Sequence, residues 1–224
     1  MRRSAFALVA LLSVAAACST TESHKAIETE SVASHGEAYS GPKVPLVIGV
    51  FENRSPYMSG MFSDGVNRLG GQARTILTTH LSQSGRFDLM DRDNMTETAK
   101  EAQYAGTTQT IGGAEYVISG QVTEFGRKET GDQQLFGLGG HSKTQTAYSK
   151  VSLNVVDVRN SQVVFSVQGA GEYDLSDREI VGFGSTSGYD ATLNGKVLNL
   201  SIMQAVEKLV AGLKSGEWAA AAKP

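Results

Sequence analysis

Val163-Val164-Phe165-Ser166-Val167-Gln168-Gly169-Ala170-Gly171-Glu172-Tyr173-Asp174-Leu175 sets the architecture of the second half of this chain. In an extended strand successive side chains point to opposite faces. Val163, Phe165, Val167, Gly169, Gly171, Tyr173 and Leu175 therefore share one face, and Val164, Ser166, Gln168, Ala170, Glu172 and Asp174 the other. Two readings fit. A half-buried sheet in water turns the apolar face to a core, whereas a transmembrane barrel strand of about 9–11 residues turns it to lipid and its polar face to a lumen. Periodicity alone leaves both open.

A noisier alternation runs through Ala147, Ser149, Val151, Leu153 and Val155, opposite Thr146, Tyr148, Lys150, Ser152 and Asn154. From residue 121 to 190 glycine turns and alternating residues recur without a helical period, which predicts two extended hairpins, residues 133–154 and 162–190. In the membrane reading Phe136, Tyr148, Phe165, Tyr173, Phe183 and Tyr189 take interface or lipid-facing positions, and Ser166, Gln168 and Glu172 face a lumen. Four strands cannot close a barrel, and their free edges are not tolerated in hydrocarbon. Insertion then requires a ring of several copies, each giving two hairpins.

Upstream the period changes. Val44-Pro45-Leu46-Val47-Ile48-Gly49-Val50-Phe51 is a short apolar run rich in β-branched residues and predicts a buried first strand, with a loop over residues 53–63. After Asp64, a plausible N-cap, Val66, Leu69, Ala73, Ile76, Leu77 and Leu81 recur at helical spacing until Gly85 supplies a stop. Phe87-Asp88-Leu89-Met90 predicts a second strand, Asp91 caps a helix running towards Tyr104, and residues 115–125 predict a third strand. A final helix follows Asn194-Gly195, with Val197, Leu198, Ile202, Ala205, Val206, Leu209 and Leu213 on its apolar face. The fold class is an α/β domain, a mixed sheet with flanking helices, carrying two extended hairpins that belong to an oligomeric barrel if they reach a membrane.

The chain has 224 residues and a formal charge of −3, with 25 glycines and 4 prolines. That length suits one domain with a real core. There is no basic stripe, which argues against a nucleic-acid partner. Met1-Arg2-Arg3 followed by an apolar run over residues 5–17 has the layout of a cleavable secretory signal, too short to span a hydrocarbon core. Ala15-Ala16-Ala17 puts small residues directly before Cys18, the single cysteine of the chain. This arrangement resembles the lipidation site of bacterial lipoproteins, which implies a covalent lipid on Cys18 of the mature protein. Ser19 in the next position is similar to lipoproteins sorted to the outer membrane. Residues 18–43 are polar without an apolar period and read as a lipidated arm or plain spacer, residues 44–214 as the folded domain, and 215–224 as a tail.

Tests for chemistry come out against an enzyme. Gly137-Leu138-Gly139-Gly140-His141-Ser142-Lys143-Thr144 ends like a phosphate loop, but serine stands where that motif needs glycine, and a strand pattern follows instead of a helix. Gly184-Ser185-Thr186-Ser187-Gly188 has the outline of a nucleophile elbow with no helix after it, so a glycine-rich turn is the better reading. His24, His35, His80 and His141 are far apart and show no metal-ligand spacing. No catalytic residues, metal site or cofactor are expected beyond the lipid.

A set of ordered segments carries a family resemblance. The lipidation cysteine, the polar arm, Val47-Ile48-Gly49-Val50-Phe51-Glu52-Asn53 and Gly71-Gln72-Ala73-Arg74-Thr75-Ile76-Leu77 resemble the curli-secretion channel family, CsgG/HfaB. Arg86-Phe87-Asp88-Leu89-Met90-Asp91-Arg92, Gly113-Ala114-Glu115-Tyr116-Val117-Ile118-Ser119-Gly120 and Val151-Ser152-Leu153-Asn154-Val155-Val156-Asp157-Val158 resemble its later strands in order. The resemblance implies a periplasmic α/β domain, a ring oligomer in the outer membrane, and passage of unfolded fibre or adhesin subunits through a constriction without ATP. It implies that the constriction lies in residues 54–64, where Tyr57, Phe62 and Asp64 are the candidate pore residues. Trp218 is followed only by residues 219–224, whereas the curli channel continues into a further helical segment. Some relatives act instead as anchors or scaffolds for envelope machinery. The alternative is thus a non-channel periplasmic lipoprotein that anchors or regulates assembly.

Overall fold

Five strands form a single mixed sheet in the computed structural model, which describes residues 29–57, 67–133, 141–179 and 192–219. Strand β1 (Val44–Asn53) pairs in parallel with β2 (Phe87–Leu89) on one side and β3 (Tyr116–Gln133) on the other. Strands β4 (His141–Asp157) and β5 (Val163–Glu179) continue the sheet antiparallel, in the order β2-β1-β3-β4-β5. Both parallel pairings need crossovers. Helix α1 (Arg68–Gln83) joins β1 to β2, and helix α2 (Met95–Tyr104) joins β2 to β3. Helix α3 (Thr192–Ser215) closes the order.

The expected helices and first strands are present, with one cap reassigned. Asn67, rather than Asp64, caps α1: its Oδ1 accepts from the Gly70 amide at 3.0 Å and the Asn53 amide at 3.2 Å, while its Nδ2 donates to the Phe51 carbonyl at 2.8 Å. One side chain thus closes the helix and ties it to β1, which fixes the start at Arg68. Gly85 sits at φ +67°, the left-handed conformation that stops α1. Asp91 organises the turn before α2 by accepting from the amides of Asp93 and Asn94, and Asn94 occupies the cap position.

The hairpins are arranged differently from expectation. Residues 133–154 do not form a unit of their own, because β4 pairs along its whole length with β3, from Gln133↔His141 to Tyr116↔Asp157. Strand β5 takes the other edge of β4, from Phe165↔Val155 to Glu179↔His141. The rest of the 162–190 hairpin, together with Phe183 and Tyr189, lies outside the described residues, as does Phe136. The result is one three-stranded meander of 17- and 18-residue strands, long beside the usual 5–6 residues.

The two faces of the sheet differ sharply. Helices α1 and α3 cover one face with Leu77, Leu81, Val197, Leu198, Ile202, Ala205, Val206 and Leu209, all fully buried against Leu46, Ile118, Val122, Val151, Leu153 and Val155. Phe165, Val167, Gly169, Gly171 and Tyr173 belong to this face. A Cβ on Gly169 would collide with the Ser201 carbonyl, and one on Gly171 would come within 2.8 Å of the Val197 carbonyl. The two glycines are therefore the seat of α3. Over residues 165–173 the apolar face meets a helix, which is the half-buried reading of the alternation, whereas Val163, beyond a bulge, pairs with Val156 and is 58 % exposed. Phe165 and Tyr173, weighed as lipid-facing, contact Trp218 and Lys196 instead.

The core crosses both expected domain boundaries. Val32 in the arm is 1 % exposed and Trp218 in the tail 3 %, so neither segment is a plain appendage. Trp218 stacks between Phe87 of β2 at 6.1 Å and Phe165 of β5 at 6.0 Å, and meets Tyr116 edge-on at 5.7 Å. Phe87 and Phe165 lie on the two edge strands, which a flat five-stranded sheet would hold about 19 Å apart at its usual strand spacing. The sheet curls so that both edges close on one indole.

Candidate functional site

The opposite face of the sheet carries no helix among the described residues, and none of its described side chains is buried. Register builds it in rows. Ser119, Asn154 and Ser166 lie side by side, then Gln121, Ser152 and Gln168, then Glu124, Lys150 and Ala170, then Gly126, Tyr148 and Glu172. The Ser166 hydroxyl donates to Asn154 Oδ1 at 2.7 Å, and Lys150 pairs with Glu124 at 2.6 Å. Tyr148 lies across Gly126, covering the strand where that residue has no side chain. A shallow hollow of about 340 Å³ lies between Val50, Glu52, Ser119, Gly120, Gln121 and Asn154. Amides, hydroxyls and paired charges dominate, with the apolar Val47, Val50, Val117 and Val156 at one end. Such a surface suits contact with water or a polar polypeptide better than lipid tails.

Past the start of α3 the sheet continues with no helix over it among the described residues. Asn194, near the helix start, accepts from Arg127 Nε at 2.9 Å, and Lys196 lies over the Tyr173 ring at 4.8 Å. Strands β3, β4 and β5 stay in register beyond these residues to Gln133, His141 and Glu179. The six residues after Tyr173 on β5 extend about 20 Å at the usual strand rise. The outer edge of β5 is covered earlier, where Lys208 donates to the Gln168 carbonyl at 2.7 Å and the Ala170 amide donates to Gln204 at 2.9 Å. Side chains from α3 thus occupy a backbone edge otherwise open to another strand.

The far end of the meander has its own electrostatic lock. Arg159 donates to the Asp157 carboxylate from Nη2 at 2.6 Å and from its amide at 2.8 Å. These bonds hold the Asp157 carboxyl below the usual carboxylate range, while burial and then the Asp157 charge push the Tyr116 phenol up. A carboxyl lowered in the folded state contributes stability that is full above the ordinary aspartate value of about 3.9 and lost as pH falls through the lowered value. Asp157→Asn is expected to flatten the acid limb of a stability profile below about pH 4 and to leave the difference between pH 6 and 8 unchanged. Urea midpoints from pH 2 to 8 check this.

The sequence profile of the family described as "Curli production assembly/transport component CsgG" matches residues 29–224. The chain belongs to the CsgG family. A Neisseria meningitidis serogroup B protein named "Putative lipoprotein NMB1126/NMB1164" is 53% identical over 198 residues, covering 88% of this chain and 89% of its own. Among solved structures, lipoprotein GNA1162 from Neisseria meningitidis is similar at a TM-score of 0.37 and 14% identity, covering 78% of this chain and 99% of that one. Protein XCC0632 from Xanthomonas campestris is similar at 0.40 and 12%, covering 81% and 91%. The PelC dodecamer from Paraburkholderia phytofirmans is similar at 0.33 and 18%, covering 75% and 93%.

Membership in the CsgG family bears out the ordered segments that suggested it, while the individual site residues fare differently. Ser166, Gln168 and Glu172 are all exposed on the uncovered face, in neighbouring rows. Tyr57, weighed as a pore residue, packs its ring against Phe125 at 4.7 Å and accepts a hydrogen bond from Asn194 at 2.8 Å. In this structure it is a packing residue under the start of α3. Phe62, Asp64 and Cys18 lie outside the described residues. Among the described residues no group of three or more His, Cys, Asp or Glu could hold a metal ion. Sequence reasoning missed the arm contacts, Glu37 with Arg86 above all, because an ion pair 49 residues apart leaves no periodic trace.

Proposed function

We propose that this chain is a lipid-anchored component of the outer membrane. Its ring oligomer forms a secretion or assembly platform, through which unfolded fibre or adhesin subunits pass without ATP. The family description and the name of the Neisseria relative support the envelope role, and the signal ending at Cys18 supplies the anchor.

The observation that carries this reading is the course of the arm. Glu37 reaches Lys214 near the C-terminal end of α3, whereas Glu30 reaches Asn199 near its N-terminal end. From Glu37 back to Glu30 the arm therefore runs toward the end of the body from which β3, β4 and β5 project. Anchor and projecting strands address one membrane. Among the described residues β3 runs past the end of β1, and β5 is the edge of the sheet, so the projection offers edges on both sides to neighbouring copies. Ser166, Gln168 and Glu172 would then line the polar interior.

The second reading, a non-channel periplasmic anchor or regulator, is favoured by one observation. Helix α3 occupies the face of residues 165–173 that a membrane strand turns to lipid. Conductance separates the two. Lipidated wild type in a planar bilayer is expected to form stable pores whose ion preference shifts in the variant Gln168→Arg, Glu172→Arg. Cys18→Ser is expected to leave the membrane fraction. Folded, lipidated protein that cross-links as an oligomer yet never conducts would establish the non-channel reading.

A further inference from the structure

Of the fifteen residues from 29 to 43, only Val32 and Ser34 are buried, yet the segment follows a fixed course over α1, α3 and the start of β2. Val32 sits in the core at 1 % exposure. The Ala33 amide donates to Glu207 at 3.3 Å and Gly36 turns the chain at φ +79°. The Glu37 carboxylate then lies between two cations, Arg86 Nη2 at 2.7 Å and Lys214 Nζ at 3.3 Å, and the Tyr39 ring covers the Arg86 guanidinium at 4.2 Å.

The two sides of this contact are unequal. Arg86 is 3 % exposed, and Glu37 is its ion-pair partner among the described residues, while Nε and Nη1 have no partner there. Glu37 itself is about half exposed. A guanidinium so placed holds a carboxylate strongly, because the bond is charge-assisted and shielded on one side. Apart from the small Ser34, the rest of the arm is mostly exposed, and its long contacts, such as Glu30 with Asn199 at 3.4 Å, add little. Attachment is therefore concentrated at two points, Val32 and Glu37, instead of being spread along the segment.

We propose that residues 29–43 are a releasable strap, latched by Glu37 between Arg86 and Lys214, which sets how far the body stands from its membrane. Latched, the strap leaves ten residues between Cys18 and the body, a reach of about 40 Å; released back to Val44, it leaves twenty-five and a reach of about 90 Å. The membrane part of this inference rests on the lipid-anchor reading above. The latch itself does not.

Hydrogen exchange on the mature, lipidated full chain in detergent tests the latch, using the amides of Ala33, His35 and Glu37 against those of Leu153 and Val155 in β4. In the wild type the arm amides are expected to exchange at least about 100-fold faster than those of β4, yet at least about 10-fold slower than in a free peptide. Glu37→Lys should bring the arm to the free-peptide rate with β4 unchanged, and Glu37→Gln should fall between. Arm and β4 amides exchanging together would overturn the strap, since the arm would then open only with the whole fold. Arm amides already at the free rate in the wild type would overturn the latch. Neutron reflectometry on a supported bilayer then compares stand-off, expected to be greater for Glu37→Lys. Equal stand-off despite a released arm would overturn the spacing role, and failure of the wild type to bind the bilayer would overturn the lipid-anchor reading while the exchange result stands.

Discussion

Replacing Trp218 with alanine is expected to lower the stability of the domain by about 3–5 kcal/mol, the usual cost of truncating a fully packed indole. The position argues for the upper half of that range. Its ring is the shared contact of Phe87, Phe165 and Tyr116, and its Nε1 donates to the Leu209 carbonyl at 3.1 Å. Truncation removes the one side chain on which β2 and β5 converge, so the cavity opens along the curl of the sheet, where strands held by hydrogen bonds cannot collapse into it. Trp218→Phe keeps an aromatic in the stack and loses the indole bond, and is expected to cost about 1–2 kcal/mol. Urea unfolding followed by far-UV circular dichroism measures both, because Trp218 is the only tryptophan and its fluorescence vanishes with the substitution. A loss under about 1 kcal/mol in the alanine variant would mean that the C-terminal segment does not hold the sheet edges together.

The contrast between Trp218 and α3 shows what was legible in the sequence. Val197, Leu198, Ile202, Ala205, Val206, Leu209 and Leu213 were placed on one helical face by spacing alone; the first six are fully buried and Leu213, in the last turn, is half-buried. Helical period is a local signal, so it survives without knowledge of the partner. Trp218 falls after that period ends and reads as tail. Strand β5 shows the same limit in another form: its two faces were legible, but the choice between lipid and core depended on a helix some thirty residues downstream. A signal for that choice was present. Gly169 and Gly171 interrupt the apolar face at positions where a membrane strand or an ordinary core would carry side chains, and such gaps mark the close approach of another backbone. For the arm no comparable trace exists, since Val32 stands alone among polar residues and the Glu37–Arg86 pair is purely tertiary. Of the candidate site, Ser166, Gln168 and Glu172 were legible as one exposed face, whereas Tyr57 could not be placed from its loop.

The glycine seat yields the other large effect. At Gly169 even a methyl group would meet the Ser201 carbonyl and approach the Ala205 amide nitrogen to 2.7 Å, and both are backbone atoms of α3 with no rotamer to relieve the clash. Accommodating it means lifting the helix from the sheet, which also breaks the contacts of Gln204 and Lys208 with the β5 edge. Gly169→Ala is therefore expected to cost about 3 kcal/mol or more, a fall of roughly 6–12 °C in Tm for a domain of this size. Gly171→Ala meets the Val197 carbonyl and Leu200 Cβ at 2.8 Å and should be next in severity. Gly195→Ala supplies the opposite sign, since a methyl there comes no closer than 3.5 Å, to the end of the Gln72 side chain. Being helical, that position gains about 0.5–1 kcal/mol from alanine's propensity. Differential scanning calorimetry of the three variants tests the order as well as the size. If Gly169→Ala melted with the wild type, α3 would have to stand farther from β5 than this geometry has it. The apolar face of residues 165–173 would then again need another partner.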